Sequence, residues 1–271
     1  MNKPFQILLV LLIGFNQLVS SQNYPNGARA IGLSNAFVSI SDTWSTFHNQ
    51  ASLANLTTIS AGVFYESRFN IDELTLAAAF AILPIEKGAF GLSFYQFGHG
   101  TFKQHKIGLA YSRKLSQKLN AALQLDYFSQ RFPENENATG FPTFEIGLTH
   151  QTTKHLTLGA HVFNMIENGF ETRYGEEKMP AIYRFGGHYQ FSKMVLLSAE
   201  AQKTTGHQTL IKTGLEFSPA QNLALRFGVS GRPVQYSAGI GYRFQKITSD
   251  IAFSYHGSLG FTPSVSIQFE L

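Results

Sequence analysis

Residues 223–244 read LALRFGVSGRPVQYSAGIGYRF, and this stretch decides the fold. Apolar residues alternate with small or polar ones on both sides of residues 231–233. Leu225, Phe227 and Val229 would project from one face of a strand, and Arg226 and Gly228 from the other. Such a period of two residues indicates extended strands whose two faces meet different surroundings.

The same alternation recurs after residue 56 in about fourteen short segments. Their connections are alternately tight and long. The tight ones include Leu115–Leu119, Thr152–Lys154, Phe191–Met194 and Ser218–Asn222, and the long ones include Gln130–Phe141 and Glu167–Pro180. In up-and-down strands every second connection lies on the same side, so the tight turns share one side. A transmembrane barrel has short turns at one end and longer loops at the other. We therefore predict an all-β protein, an antiparallel transmembrane β-barrel of about fourteen strands with a short N-terminal plug-like segment.

A soluble β-sandwich, in which one face of each sheet is exposed to solvent, would show the same alternation. Two features favour the membrane barrel. The apolar faces are aromatic-rich over about nine to eleven residues, the length that crosses a bilayer at a tilt. An even number of strands also lets the sheet close, which removes every exposed edge.

The composition agrees with strands between lipid and water. Charged residues make up 14% of the 271 residues and aromatic residues another 14%, with 24 glycines. Ordinary globular domains are roughly 25% charged. The net charge of +4 suits anionic headgroups but does not indicate nucleic-acid binding, so outer-membrane lipids are the expected surroundings. The absence of cysteine excludes disulfides and thiolate metal sites.

The N-terminus predicts export. Asn2-Lys3 is a short basic start, residues 5–19 are almost wholly apolar, and Val19 and Ser21 are small enough for the −3 and −1 cleavage positions. We expect a signal peptide over residues 1–21, a plug-like or hatch-like segment over 22–56 and the barrel over 57–271. The expected location is the outer membrane of a Gram-negative cell.

The inward faces of the predicted strands are polar and of mixed charge. The candidates for polar side chains in the lumen are Asp126, Glu145, Arg184, His188, Glu200, Arg226 and Arg243. One segment, Leu74–Leu83, is apolar on both faces. We place its Ala77, Ala79 and Ala81 inward. Their small size would let the N-terminal segment pack closely, or the strand simply lies deep in lipid and has small residues on its lumen side.

Within the N-terminal segment, Asp42, Trp44, Asn49 and Gln50 are candidates for plugging the pore or contacting a solute. The alternative is structural, because Asp and Asn are ordinary helix-start and turn residues and Trp44 suits packing. None of the nine histidines has the spacing of a metal-binding motif, and no nucleophile motif stands out. We predict no catalytic residue, no metal, no cofactor and no enzymatic activity.

Residues 27–42, GARAIGLSNAFVSISD, and residues 48–54, HNQASLA, resemble the start of the FadL-like superfamily, in particular its PorV/PorQ branch from Bacteroidota. Proteins of that branch typically read GARAxGMGGAFVAxADD…NPAGLA and form a fourteen-stranded barrel. Ser34-Asn35 replaces the usual Gly-Gly here, and Gln50 replaces the proline. The second change puts in doubt whether Asn49–Ala51 builds the same turn.

The resemblance implies two different functions. PorV/PorQ-like proteins are non-enzymatic parts of type IX secretion that dock cargo or attachment machinery, so secretion components or cargo proteins would be the partners. FadL-like proteins instead pass hydrophobic solutes through an N-terminal hatch and a sideways opening. We favour the secretion role for two reasons. The short loops leave little room for a solute vestibule, and a lumen of mixed charge is poorly suited to line a tunnel for hydrophobic solutes. A general porin or a purely structural barrel is a third class.

Overall fold

The structure, a computed structural model, describes residues 23–100, 102–131, 139–172, 175–231 and 233–271. The predicted signal peptide and its cleavage site lie outside this part of the chain.

Fourteen antiparallel strands close into a barrel, which confirms the predicted fold. Each barrel strand pairs with its neighbours along the chain, and β1 closes the ring against β16, for example through Val63 opposite Ile267. Two further strands, β8 and β9, form a separate hairpin in the connection between β7 and β10. The strands are β1 (Ser60–Ser67), β2 (Thr75–Ile85), β3 (Gly88–Phe97), β4 (Lys103–Lys114), β5 (Leu119–Arg131), β6 (Thr139–Gln151), β7 (Leu156–Phe163), β8 (Gly169–Thr172), β9 (Gly175–Lys178), β10 (Ile182–Gln190), β11 (Val195–Thr204), β12 (Leu210–Ala220), β13 (Leu223–Ser230), β14 (Gln235–Phe244), β15 (Ile247–His256) and β16 (Gly260–Glu270).

The two ends of the barrel differ. At one end, here the turn end, β2 joins β3 through Glu86 and Lys87, and β14 joins β15 through Gln245 and Lys246. The other end, here the loop end, carries the longer connections, including residues 164–181 with their β8–β9 hairpin. Short 3-10 helices at Arg68–Asn70 and Asp72–Leu74 also lie at the loop end.

The outer surface is apolar because alternate residues of every barrel strand point away from the lumen. In β5, Leu125 is 61% exposed and Tyr127 50%, whereas the intervening Gln124 and Asp126 are buried. Exposed aromatic rings lie near both ends, as in the aromatic girdles of membrane barrels. Those near the turn end include Phe90, Tyr111, Phe191, Tyr242, Phe244 and Phe269, and those near the loop end include Tyr65, Tyr183, Tyr236, Tyr255 and Phe261. This is the surface of a barrel that faces lipid.

The predicted orientation of β2 is wrong. Leu76, Ala78, Phe80 and Ile82 are the buried, inward residues, and Ala77, Ala79 and Ala81 lie on the outward face. Because this strand is apolar on both faces, its sequence does not indicate which face points into the lumen. Pairing with β1 and β3 sets the orientation instead.

Residues 23–56, here the interior segment, run inside the barrel. The segment contains helix α1 (Ala28–Gly32) and 3-10 helices at Thr43–Phe47 and Gln50–Asn55, and nearly all of it is buried. Among the described residues, no helix is long and apolar enough to cross a membrane.

Candidate functional site: the filled lumen

A first row of glycines lets the interior segment lie directly against the wall. The residues are Gly147 on β6, Gly159 on β7 and Gly186 on β10. A Cβ atom on Gly147 would lie 2.1 Å from Asn49 Oδ1, and one on Gly159 would lie 2.3 Å from the carbonyl oxygen of Val38. Any larger residue on Gly147 or Gly159 would therefore collide with the interior segment.

A second glycine row, Gly214, Gly228 and Gly239, crosses β12, β13 and β14. A Cβ on Gly214 would lie 2.7 Å from Leu33 Cβ, and one on Gly228 would lie 2.5 Å from the amide nitrogen of Ser34. The second row has no side chains where residues 32–34 of the interior segment lie against the wall.

Ser34 and Asn35, which stand where the PorV/PorQ pattern has Gly-Gly, lie in a bend of the interior segment. Ser34 and Asn35 have φ of 51° and 58°, the left-handed region that glycine enters without strain. The backbone N–H of Asn35 donates a hydrogen bond to the Ala30 carbonyl oxygen at 2.8 Å, and the Ser34 hydroxyl oxygen lies 2.8 Å from the Ser237 hydroxyl oxygen. The Gly-Gly of the resembling proteins suits this conformation, and these hydrogen bonds hold the larger residues in it.

An alternating chain of charges joins the interior segment to the wall near the turn end. Arg29 donates to Asp42 at 2.5 Å and, through two nitrogens, to Glu216 at 2.9 and 2.7 Å. Arg226 donates to the same Glu216 at 2.6 Å and to Asp250 at 2.6 Å. Burial lowers the pKa of the Arg29 guanidinium, but Glu216 and Asp42 more than offset this, so its pKa is raised and it stays charged.

Glu200 provides a second attachment. One carboxylate oxygen accepts the backbone amides of Phe37 and Val38, each at 3.0 Å, and the other accepts Lys212 Nζ at 2.9 Å. Hydrogen bonds to a buried charged acceptor are stronger than neutral ones. The wall therefore binds the backbone of the interior segment directly.

Asn49 and Gln50 form a third attachment. Asn49 Nδ2 donates to the carbonyls of Val38 at 2.6 Å and of Leu148, on β6, at 3.1 Å. Gln50 Nε2 donates to Glu145 Oε2 at 2.9 Å, so the residue at the position where the PorV/PorQ pattern has proline contacts the wall.

Glu145 lies at the centre of a fully buried polar group. Its carboxylate pairs with Lys106 Nζ and lies 2.8 Å from His161 Nε2, and Lys106 Nζ lies 3.4 Å from Asp126 Oδ1. Breaking such a buried group by removing one partner is costly because it leaves an unpaired charge.

Asp42 and Trp44 hold the interior segment together. Asp42 Oδ1 accepts the Trp44 amide at 2.8 Å as the cap of the 3-10 helix, as the structural alternative expects. The fully buried Trp44 ring packs edge-on against Phe80 of β2, with centroids 4.8 Å apart.

His48 is also buried in the interior segment, with its Nε2 2.9 Å from the Asn26 carbonyl oxygen. Its pKa is lowered to about 3, first by burial and then by the charge of Arg184.

The remaining predicted lumen residues lie in different places. Arg184 Nη1 donates to the His48 carbonyl at 3.4 Å, and His188 Nδ1 lies 3.0 Å from the Ser39 hydroxyl. Arg243 lies away from the interior segment, with a half-exposed side chain that pairs with Glu270 at the turn end. No comparison tests these residues functionally, so their roles remain predictions. Sequence reasoning did not single out Arg29, Lys106, Asp250 or the glycine rows, although strand alternation places all but Arg29 on the inward face.

Two clefts open at the turn end, with volumes of about 320 and 410 Å³. Arg29 and Ser41 line both, and most other lining residues are polar. Within the described residues, no group of three or more His, Asp or Glu side chains could hold a metal ion.

The loop-end half of the lumen contains a cluster of aromatic rings, and the buried Lys106 Nζ lies 5.6 and 5.4 Å from the Phe128 and Phe163 ring centroids. Phe128 stacks on Phe141 at 5.4 Å and meets Phe163 edge-on at 5.7 Å. Phe170, from the β8–β9 hairpin, is fully buried and meets Phe141 edge-on at 4.7 Å. The aromatic cluster comprises Tyr24, Tyr95, Phe97, Phe102, Phe128, Phe141, Phe163 and Phe170.

No family model matches the sequence, and no curated protein matches it. Solved structures do. The CymD monoaromatic hydrocarbon channel aligns with a TM-score of 0.74 at 13% identity, over 93% of this chain and 99% of CymD. The toluene transporter TodX of P. putida gives 0.70 at 12%, over 90% and 98%, and a FadL homologue of Pseudomonas aeruginosa gives 0.65 at 16%, over 91% and 99%.

The chain has the FadL-like fold. Identities this low establish the fold alone. CymD is described as a monoaromatic hydrocarbon channel, and TodX and TbuX of Ralstonia pickettii as toluene transporters. They agree with the predicted barrel fold.

Proposed function

We propose that this protein is an outer-membrane channel for small hydrophobic molecules and that its interior segment is the gate. The observation that carries the proposal is the aromatic cluster in the loop-end half of the lumen. A water-filled pore has a polar interior, whereas ligand sites for hydrophobic molecules are lined by aromatic side chains. The matched hydrocarbon channels and toluene transporters support this class of solute.

The β8–β9 hairpin is the entry lid in this proposal. Its Phe170 fills the outermost position of the aromatic cluster, against Phe141. A solute that replaces the Phe170 ring would recover the same apolar contacts, so exchange of ring for solute costs little hydrophobic free energy. The solute would then lie against Phe128 and Phe163, beside the interior segment.

Passage beyond the aromatic cluster requires the interior segment to move, because its side chains fill the rest of the lumen. Its attachments through Arg29, Glu200 and Gln50 are polar and can be replaced by hydrogen bonds to water as the segment shifts. The two turn-end clefts provide space on the exit side. A cleavable signal peptide over residues 1–21 would deliver the protein to the outer membrane.

Equilibrium binding of radiolabelled toluene to the purified, detergent-solubilised barrel tests the proposal. We expect saturable binding that Phe128→Ala weakens at least tenfold. The matched control is Phe227→Ala, which removes a ring that is 60% exposed on the outer face and should leave binding unchanged. Absence of saturable binding, or equal binding by both variants, would contradict the proposal.

A second candidate is a PorV/PorQ-like docking role in type IX secretion. It is favoured by the N-terminal resemblance and by the clefts, which are polar and open at the turn end rather than forming an apolar tunnel. Capture of tagged protein from native outer membranes distinguishes the two. Recovery of secretion components together with absence of toluene binding would establish this role instead.

A further inference from the structure

The turn end of the barrel carries a ring of basic side chains. Among the described side chains, eight exposed Lys and Arg residues lie there, and the carboxylates outside the lumen network are Glu86 and the partly buried Glu270. They are distributed over five of the six tight turns and the strand ends beside them. The basic ring comprises Lys87, Arg113, Lys114, Lys118, Lys154, Lys193, Arg243 and Lys246.

The loop end has the opposite balance. In the described part of the chain, its outer connections and strand ends carry six carboxylates, apart from the Glu66–Arg68 pair, and four basic side chains. The carboxylates are Asp72, Glu73, Glu167, Glu171, Glu176 and Glu177, and the basic residues are Lys103, Arg131, Lys178 and Lys203. Among the described residues, the positive charge of the exterior is therefore concentrated at the turn end.

We propose that the basic ring binds the phosphate headgroups of anionic phospholipids in the leaflet around the turn end. Among the described residues, only Arg243 of the ring has a carboxylate partner, Glu270. The other seven are exposed and have no carboxylate partner in the described part of the chain, although Lys118 also lines the second turn-end cleft. Basic side chains at a membrane surface attract anionic lipids in this way.

The position of the ring relative to the lipid-facing surface favours a membrane over a soluble partner. Four basic residues follow an exposed apolar residue by two positions. The pairs are Ile85 and Lys87, Tyr111 and Arg113, Phe191 and Lys193, and Phe244 and Lys246. Because strand side chains alternate, Arg113 continues the outward row of β4 from hydrocarbon into the headgroup layer.

The distribution of charge leads to the same conclusion. A docked soluble protein would contact one sector of the rim, whereas these cations occur around most of the circumference. Lipids surround a barrel on all sides, so a ring suits them. This inference is independent of which solute crosses the lumen.

Native mass spectrometry of the full mature protein, released from bilayers of phosphatidylethanolamine mixed with phosphatidylglycerol, tests the inference. We expect the retained lipid to be enriched in phosphatidylglycerol and the enrichment to fall as salt rises. The combined variant Lys87→Gln, Arg113→Gln, Lys193→Gln, Lys246→Gln should lose about fivefold or more of that enrichment.

The matched control removes four loop-end charges, Lys103→Gln, Arg131→Gln, Lys178→Gln and Lys203→Gln, and should keep the enrichment. Heat-modifiable migration on gels verifies that both variants are folded barrels. Two results would overturn the inference. One is wild-type protein without phosphatidylglycerol enrichment. The other is a folded ring variant that retains the phosphatidylglycerol enrichment. If that variant instead loses binding of an acidic soluble protein, the basic ring is a protein-docking surface.

Discussion

The Arg29 guanidinium and the Glu216 carboxylate form a two-pronged ion pair, with Nε to Oε2 at 2.9 Å and Nη2 to Oε1 at 2.7 Å. Arg29 belongs to the interior segment and Glu216 to the barrel wall, 187 positions further along the chain. Asp42 and Arg226 extend the pair on either side. This contact fastens the interior segment to the wall beside both turn-end clefts.

Arg29→Gln should loosen the interior segment. The change leaves Asp42 without its cation and Glu216 with Arg226 alone, which we expect to destabilise the closed state by roughly 3 kcal/mol. Conductance of single barrels in planar bilayers should show openings that the wild-type protein lacks. Arg243→Gln is the control, because its pair with Glu270 is exposed and contributes about 0–1 kcal/mol. Identical traces for wild-type and Arg29→Gln barrels would show that this contact does not close the gate.

Gly228→Val should displace the interior segment by collision. A Cβ there would lie 2.5 Å from the Ser34 amide nitrogen, and valine adds two further methyl groups. We expect cells that produce this variant to become sensitive to large antibiotics normally excluded by the outer membrane. Gly257→Val serves as control, since nothing lies within 4 Å of a Cβ at that loop-end position. A folded Gly228→Val barrel that stays impermeable would place the gate elsewhere.

His48 should make the interior segment less stable in acid. Burial lowers its pKa from about 6.5 to about 3, so between these values the released segment binds a proton that the packed segment does not. The stability is therefore fully present above pH 6.5 and is lost as the pH falls toward 3. Each pH unit in this window should remove roughly 1.4 kcal/mol.

Hydrogen exchange of the interior-segment amides at pH 7 and pH 5, corrected for intrinsic rates, measures this loss. His48→Gln keeps a donor for the Asn26 carbonyl but cannot gain a proton, so its protection should depend less on pH. Equal pH dependence in both proteins would assign the effect to another group.

The signal-peptide prediction has a direct test. N-terminal sequencing of protein purified from outer membranes should give a chain that starts at Gln22. Replacing Ser21 by a bulky residue should slow processing, because the cleavage site requires a small side chain. Mature protein that retains residues 1–21 would contradict the predicted division of the chain.

The sequence by itself determined the barrel. Strict alternation, as in Leu223–Ser230, indicated strands, and the order of tight and long connections indicated how they close. Alternation also placed Glu145, Glu200 and Arg226 inside, because a polar residue within an apolar row has one favourable face. It could not orient Leu74–Leu83, since both faces of that strand are apolar.

The tertiary structure alone decided what those inward residues contact. Arg29 meets Glu216, and Val38 lies over Gly159, only because the closed ring brings distant strands around one segment. From sequence alone, a glycine on an inward face indicates only low strand propensity. Its packing role becomes visible once the neighbour that occupies the space of its missing side chain is known. Alternation acts between adjacent residues and is visible in the sequence, whereas the packing of the lumen depends on register and closure, which join positions more than a hundred residues apart.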